Sequence, residues 1–452
     1  MVICWGDDMT KILTAFHDLV WGVPALVLIL GVGLWLTLCT GGAQFRFFPG
    51  ALRAFWRRLF GTETAGEGVS SFQALCTALA ATVGTGNIVG VAGAICLGGP
   101  GAIFWMWLCA LLGMVTKYAE VTLAVRFRKK EHGEYQGGPM HIIRSGMGAR
   151  WRWLGTLYSF FGVIAAFGVG NAAQINAVVS GVNGLLGGGS PSRNLGLGLL
   201  LAVLVGAMLL GGARRIGAAA ERLVPFASGA YILLCLFVLA ARWDALPEAI
   251  KAIFQGAFSP RAVTGGMIGS GLQALRIGCA RGVFTNEAGM GTASIAHAAA
   301  QTSHPAEQGL MGIVEVFLDT ILICTLTALV ILVSGIPIPY GADAGGQLTA
   351  RAFSAVCGEW SGFFLTAALC CFAFATVLGW GLYGARCAQF LFGSNAWNGF
   401  ALAQTATVVL GAVLETETVW LLAETVNGLA PGRNRQRPDG HSQFDCPGGP
   451  QP

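Results

Sequence analysis

The hydrophobic pattern of this chain is a succession of apolar runs, most near or above the roughly 20 residues a helix needs to cross a bilayer, separated by polar stretches. These runs predict spanning helices at about 19–40, 70–98, 101–125, 154–186, 195–212, 223–241, 264–300, 308–335, 361–393 and 397–414, with a shorter eleventh beginning near 416. Residues 1–18 precede the first helix, 19–430 read as a single transmembrane domain, and 431–452 read as a polar, disordered tail. Between two of the runs, residues 243–258 place Leu246, Ile250, Ile253 and Phe254 at helical spacing with charges elsewhere. That pattern suits an amphipathic helix lying over the outer face.

Two runs are interrupted at their middle. The stretch from Ser70 to Pro100 carries no charge, yet Gly84, Gly86 and Asn87 sit where a continuous helix favours Leu or Ala. Hydrocarbon offers no water to satisfy freed backbone groups, so an unwound segment survives there only inside protein or beside a wet cavity. The carbonyls left at the end of the first half can face a cation, and the N-terminus of the second half can face an anionic group. Taken alone, the same glycines also suit a close-packing stripe between helices. The run Phe284-Thr285-Asn286-Glu287-Ala288-Gly289-Met290-Gly291 repeats the interruption five segments later. Paired breaks five helices apart are what two inverted five-helix repeats produce, with cargo held at their interface, and this favours a site over packing.

Composition sharpens the class. Of 452 residues 54% are hydrophobic and 11% charged, against about 25% charged in soluble domains, which makes the chain an all-α polytopic membrane protein. The first sixteen residues carry Asp7, Asp8 and Lys11 and lack the pattern of a cleaved signal peptide. Most of the 13 cysteines lie in apolar runs and none form a C-x-x-C pair, so they read as small core residues; the six histidines show no zinc spacing. Gly84, Gly86 and Gly90 follow no strand and do not make a dinucleotide loop. The basic residues cluster at helix ends, which argues against nucleic acid and for a membrane surface. The loops after the first, third and fifth helices carry 14 Lys and Arg, whereas the opposite side shows six. The N-terminus is therefore expected outside and the C-terminus in the cytoplasm.

Several polar groups fall at membrane depth. Asn171, Gln174 and Asn176 can line the same cavity or hydrogen-bond between helices, and Thr376 and Trp380 share one helix face at i, i+4. Lys117 and Glu120 are placed to pair with each other at i, i+3, and Arg276, Arg281, Glu287, Glu315 and Asp319 are expected in ion pairs that hold gate elements. No nucleophile and base constellation is legible, so an enzyme is not expected.

Gly-Thr-Gly-Asn-Ile at 84–88, Gly-Gly-Pro-Gly-Ala-Ile-Phe-Trp-Met-Trp at 98–107, Gly-Gly-Pro-Met at 137–140, Thr-Asn-Glu-Ala-Gly-Met-Gly at 285–291 and Leu-Gly-Trp at 378–380 strongly resemble the alanine or glycine:cation symporter family, over roughly residues 15–428. The resemblance implies eleven helices, the last ten in a leucine-transporter-like five-plus-five inverted repeat with helices 2 and 7 broken. It also implies sodium-driven import of a small neutral amino acid, alanine or glycine, across a bacterial or archaeal cell membrane. Carried over residue by residue, it implies that Thr85 and Gly86 receive the amino-acid carboxylate and that Gln174, Phe284, Asn286, Thr376 and Trp380 contact or wall the rest. The carbonyls of Ala80 and Val83 with the Thr376 hydroxyl would bind sodium, and Asn87 would support the broken helix or a further ion. A non-transporting sensor or channel on the same scaffold, and proton in place of sodium, are the alternatives.

This chain departs from the family pattern at three places. Ala375 stands where the family commonly has Ser, which removes a possible cation ligand, and Ala385 stands where it commonly has Glu. After Leu429 the chain reads Ala-Pro-Gly-Arg-Asn-Arg and stays polar, so the last helix is expected to be cut short by a truncation or a shifted frame. From Thr416 to Leu429 it would extend about 21 Å, against a hydrocarbon core of roughly 30 Å.

Overall fold

The computed structural model describes residues 23–61, 68–131, 133–266, 268, 270–342 and 345–414. The expectations for residues 1–18, for the eleventh helix and its truncation, and for the tail at 431–452 lie outside these residues. Nearly all of the described chain is helical, apart from one hairpin of β1 (Lys129–Glu131) and β2 (Glu134–Gln136). The helices that position the site are α1 (Val23–Cys39), α2 (Ser71–Thr82), α3 (Val91–Gly98), α4 (Gly101–Arg126), α5 (Arg152–Phe167) and α6 (Ala173–Leu185). They continue with α7 (Pro191–Leu209), α8 (Gly212–Ala241), α9 (Leu246–Phe258), α10 (Gly271–Asn286), α11 (Ala293–Ala298) and α12 (Pro305–Val316). The last four are α13 (Thr325–Val333), α14 (Gly345–Cys357), α15 (Trp360–Phe392) and α16 (Ala396–Val413).

Among the described residues seven helices are long and apolar enough to cross a membrane, and α2 with Gly86–Gly98 forms an eighth span bent by 50°. The run at 264–300 is interrupted where expected: α10 stops at Asn286 and α11 starts at Ala293. Two buried clusters fill the interior. One gathers Leu75, Ile95, Tyr231, Phe353 and Phe372, the other Ile175, Leu209, Trp380, Tyr383 and Val408, and α15 supplies residues to both. Leu34, Trp35, Val203, Leu233 and Phe237 point outward, as residues that face lipid must.

The helix expected at 243–258 forms as α9, with a different face inward. It buries Ala249, Ile253, Gly256 and Ala257, while Ile250 and Phe254 are 40% and 48% exposed. Small residues decide this: a methyl built on Gly256 would fall 2.8 Å from the Gly101 nitrogen, so the backbones meet there and the larger side chains turn aside. Phe254 instead packs against the rings of Phe104 and Trp107. Helix α14 has no counterpart in the apolar runs. Too short to span, it lays Leu348, Ala352 and Phe353 inward, and its Thr349 hydroxyl donates to the carbonyl of Ile88 beside the first break, at 2.9 Å.

Lys117 and Glu120 do not form the expected pair. The Lys117 ammonium lies 3.3 Å from a Glu315 oxygen, and Glu120 accepts from the Gly289 N–H at 2.9 Å. Helix α12 brings Glu315 fully inside against α4, so Lys117 meets a buried carboxylate on its neighbour.

Candidate functional site

The first break is held open by one side chain. In a continuous helix the Gly84 N–H would donate to the Ala80 carbonyl; here it donates to Asn87 Oδ1 at 2.9 Å, and Val83 is extended at ψ 98°. The Asn87 amide in turn donates to Asp319 Oδ1 at 2.7 Å and to the Asp319 carbonyl at 3.1 Å. Asn87 therefore bridges the break to a distant irregular stretch of chain, since Asp319 lies in a π-helical segment, Phe317–Cys324, between α12 and α13. The second half of the broken helix also begins with one π-helical turn, Gly86–Gly90. Such turns widen the helix and free backbone groups.

Gly84 has to be glycine. A methyl on it would fall 2.7 Å from Thr376 Oγ1 and 3.7 Å from Gln174 Oε1, so the absent side chain lets α15 and α6 close on the break. Thr376 donates to the Phe372 carbonyl at 3.0 Å, which leaves its lone pairs free. Gln174 donates to the Val169 carbonyl at 3.2 Å, while its Oε1 is buried and unpartnered. Trp380 is seated against Gly170, where a methyl would come within 2.4 Å of its Cβ, and its ring meets Tyr383 edge-on.

The second break follows Asn286. Glu287 adopts φ 53°, the only positive φ outside glycine among the described residues, and Gly289 and Gly291 follow at φ 92° and 77°. The Thr292 hydroxyl donates to the Glu287 carboxylate, and Asn286 Oδ1 accepts the Ala288 N–H at 3.0 Å. The two breaks meet, because a methyl on Gly86 would sit 3.7 Å from Thr285 Oγ1 and 3.8 Å from the Phe284 ring.

Between them lies a cavity. Thr85, Gly86, Gln174, Phe284, Thr376 and Trp380 line it, six of the seven residues that the sequence nominated for substrate. Asn286 does not reach it: its amide faces α4, where a methyl on Gly113 would fall 3.7 Å away. The cap that Asn286 provides to Ala288 turns its side chain out of the site. Ala80 and Val83 are buried behind the cavity wall, and Asn87 supports the break. Asn171 and Asn176 serve α16 instead, donating to the carbonyls of Gln404, Gly411 and Leu414. Sequence reasoning had not placed Glu287, Thr82, Thr285 and Met290 at the cavity, which all line it. The space is small, with the centre of a water-sized sphere ranging over about 20 Å³. Its donors are N–H groups and hydroxyls and its acceptors are oxygens only, a set suited to a zwitterion and a hard cation.

Two broken helices around a small polar cavity are the arrangement of the leucine-transporter-like fold. Comparison with known proteins agrees. The crystal structure of MhsT in complex with L-phenylalanine superposes with a TM-score of 0.57 at 14% identity, covering 80% of this chain and 87% of that one. The profile of the sodium:alanine symporter family matches residues 6–434. An uncharacterized transporter of Haemophilus influenzae is 44% identical over 93% of this chain and 91% of its own. The sodium/alanine symporter AgcS of Methanococcus maripaludis is 42% identical over 93% and 92%. The chain belongs to the sodium:alanine symporter family, and is a multi-pass membrane transporter of a family that couples amino-acid transport to sodium.

Proposed function

We propose that this protein imports a small neutral amino acid, alanine or glycine, together with sodium, by alternating access across residues 19–430. The observation that carries this reading is the Gly84–Asn87 bond, which takes the Gly84 N–H away from the Ala80 carbonyl at a break where Gly84 meets Thr376 and where Thr85 and Gly86 line the cavity. Sodium binds the Ala80 and Val83 carbonyls with Thr376, and the amino-acid carboxylate docks on Thr85 and Gly86. Gln174 completes the polar wall, and Phe284 and Trp380 leave room for a methyl group or a hydrogen. The two broken helices belong to inverted repeats, so rocking one bundle against the rest exposes the site to each side in turn. The basic loops face the cytoplasm, with the N-terminus outside. AgcS, named for sodium and alanine, supports the choice of both.

Proteoliposomes test this. Uptake of labelled alanine or glycine should rise at least tenfold under an inward sodium gradient and exceed uptake of larger amino acids. Uptake that ignores sodium and follows an imposed proton gradient would replace the ion, and absence of exchange in counterflow would replace the carrier by a sensor.

A further inference from the structure

One acidic residue lines the cavity, and nothing in the reading above uses it. Among the described lining residues Glu287 alone carries an ionisable side chain, and it is only 4% exposed. Its backbone is held in the left-handed region, which is unfavourable for a residue with a side chain and persists where the surroundings impose it. Thr292 fixes one carboxylate oxygen, and Trp380 lines the same cavity. Lys117, the nearest buried ammonium, already has Glu315 at 3.3 Å. Glu287 also caps the C-terminal end of α10, where the helix dipole is negative. Across the cavity the Gly86–Gly98 half-helix begins, where the dipole is positive, and the unpartnered Oε1 of Gln174 faces the same space.

We infer that Glu287 is the ammonium-binding residue of the site: the α-ammonium of the amino acid sits against its carboxylate and the C-terminal end of α10, while the α-carboxylate sits against Thr85 and Gly86. This rests on the transport function proposed above and assigns the opposite end of the same zwitterion. A site polarised in this way selects solutes that carry both charges at the spacing of an α-amino acid, and it discriminates against hydroxy and desamino acids that share the carboxylate and the small side chain.

Equilibrium binding to purified full-length protein in sodium tests it, with alanine, glycine, lactate and propionate as ligands. Glu287→Gln keeps the shape and the acceptor for Thr292 and removes the charge. It is expected to weaken alanine and glycine about 10- to 100-fold and to change competition by lactate and propionate less than threefold. Thr292→Val, which keeps the charge and loosens its anchor, is expected to weaken alanine by less than tenfold. Glu287→Gln binding alanine as wild type does, or weakening all four ligands alike, overturns the assignment, as does loss of sodium binding measured without amino acid, which would make the carboxylate a cation ligand. Wild-type protein that neither binds nor transports any amino acid overturns the functional proposal and this one with it, whereas an unaffected variant beside an active wild type overturns this one alone.

Discussion

The chemistry of the proposed ion site turns on a missing side chain. Gly84 lets the Thr376 hydroxyl approach to where a methyl would be 2.7 Å away, and Thr376, spending its proton on the Phe372 carbonyl, offers lone pairs toward the freed end of α2. Ala375 beside it is a buried methyl where a second hydroxyl is common in the family. Gly84→Ala is therefore expected to lower sodium-driven uptake at least tenfold, because the methyl and the hydroxyl cannot both stay. Ala375→Ser should lower the sodium concentration for half-maximal uptake severalfold. Unchanged sodium dependence in both variants would move the ion elsewhere. Thr85, Gly86, Gln174 and Trp380, nominated through the family resemblance, all line the cavity. Asn286 was nominated for substrate and Glu287 for an ion pair, yet Glu287 lines the cavity and Asn286 does not, since the left-handed turn at Glu287 is not revealed by spacing.

At the scale of elements, both breaks were legible because glycine and asparagine at the middle of apolar runs leave a helix no good way to continue. That Asn87 supports the first was among the implications of the family resemblance, but its partner was not legible. Asn87 acts as a lateral clasp between α2 and the π-helical stretch around Asp319, 232 residues away, and only the folded bundle brings them together. Replacing it by leucine lets the Gly84 N–H return to the Ala80 carbonyl and leaves the Asp319 carboxylate without its amide donor. A buried acceptor so stripped costs about 1–3 kcal/mol. Asn87→Leu should thus lose sodium-dependent uptake and lower the thermal midpoint in detergent by several degrees. Asn87→Asp keeps the acceptor for Gly84 but sets two carboxylates together, and should be worse still at neutral pH. Retained uptake in the leucine variant would show that the break persists without its clasp. Helix α14 was missed for a different reason: it is amphipathic and only 13 residues long, so a search for membrane-length runs passes over it.

Across the whole molecule, the inner ends of the two broken helices are fastened to each other and to the surrounding bundle. The Gln301 N–H donates to the Val69 carbonyl at 2.8 Å, joining the chain before α2 to the chain after α11. Deeper in, Ser71 donates to Gln308, whose amide donates to His297 Nδ1 at 2.7 Å. The His297 Nε2 lies 3.0 Å from Glu315, and Glu315 pairs with Lys117. One chain of contacts thereby spans α2, α12, α11 and α4, all of it buried. With Gln308 donating to Nδ1, the Nε2–H tautomer satisfies both ring contacts, which leaves Lys117 as the charge that balances Glu315. Lys117 and Glu315 were visible in the sequence as costly intramembrane charges, yet their pairing was not, because it joins α4 to α12, which lie far apart along the chain. Removing one member of such a pair strands the other, at about 3–5 kcal/mol, while replacing both by apolar groups can be nearly neutral. Lys117→Met is expected to lower the thermal midpoint strongly, and Lys117→Met with Glu315→Leu to recover at least half of that loss. Because the network ties both broken helices to the bundle, the double variant should fold yet transport more slowly than wild type. Additive losses in the two single variants, with no recovery in the double, would mean that Lys117 and Glu315 act independently and that the fastening of the broken helices lies in the Val69–Gln301 contact alone.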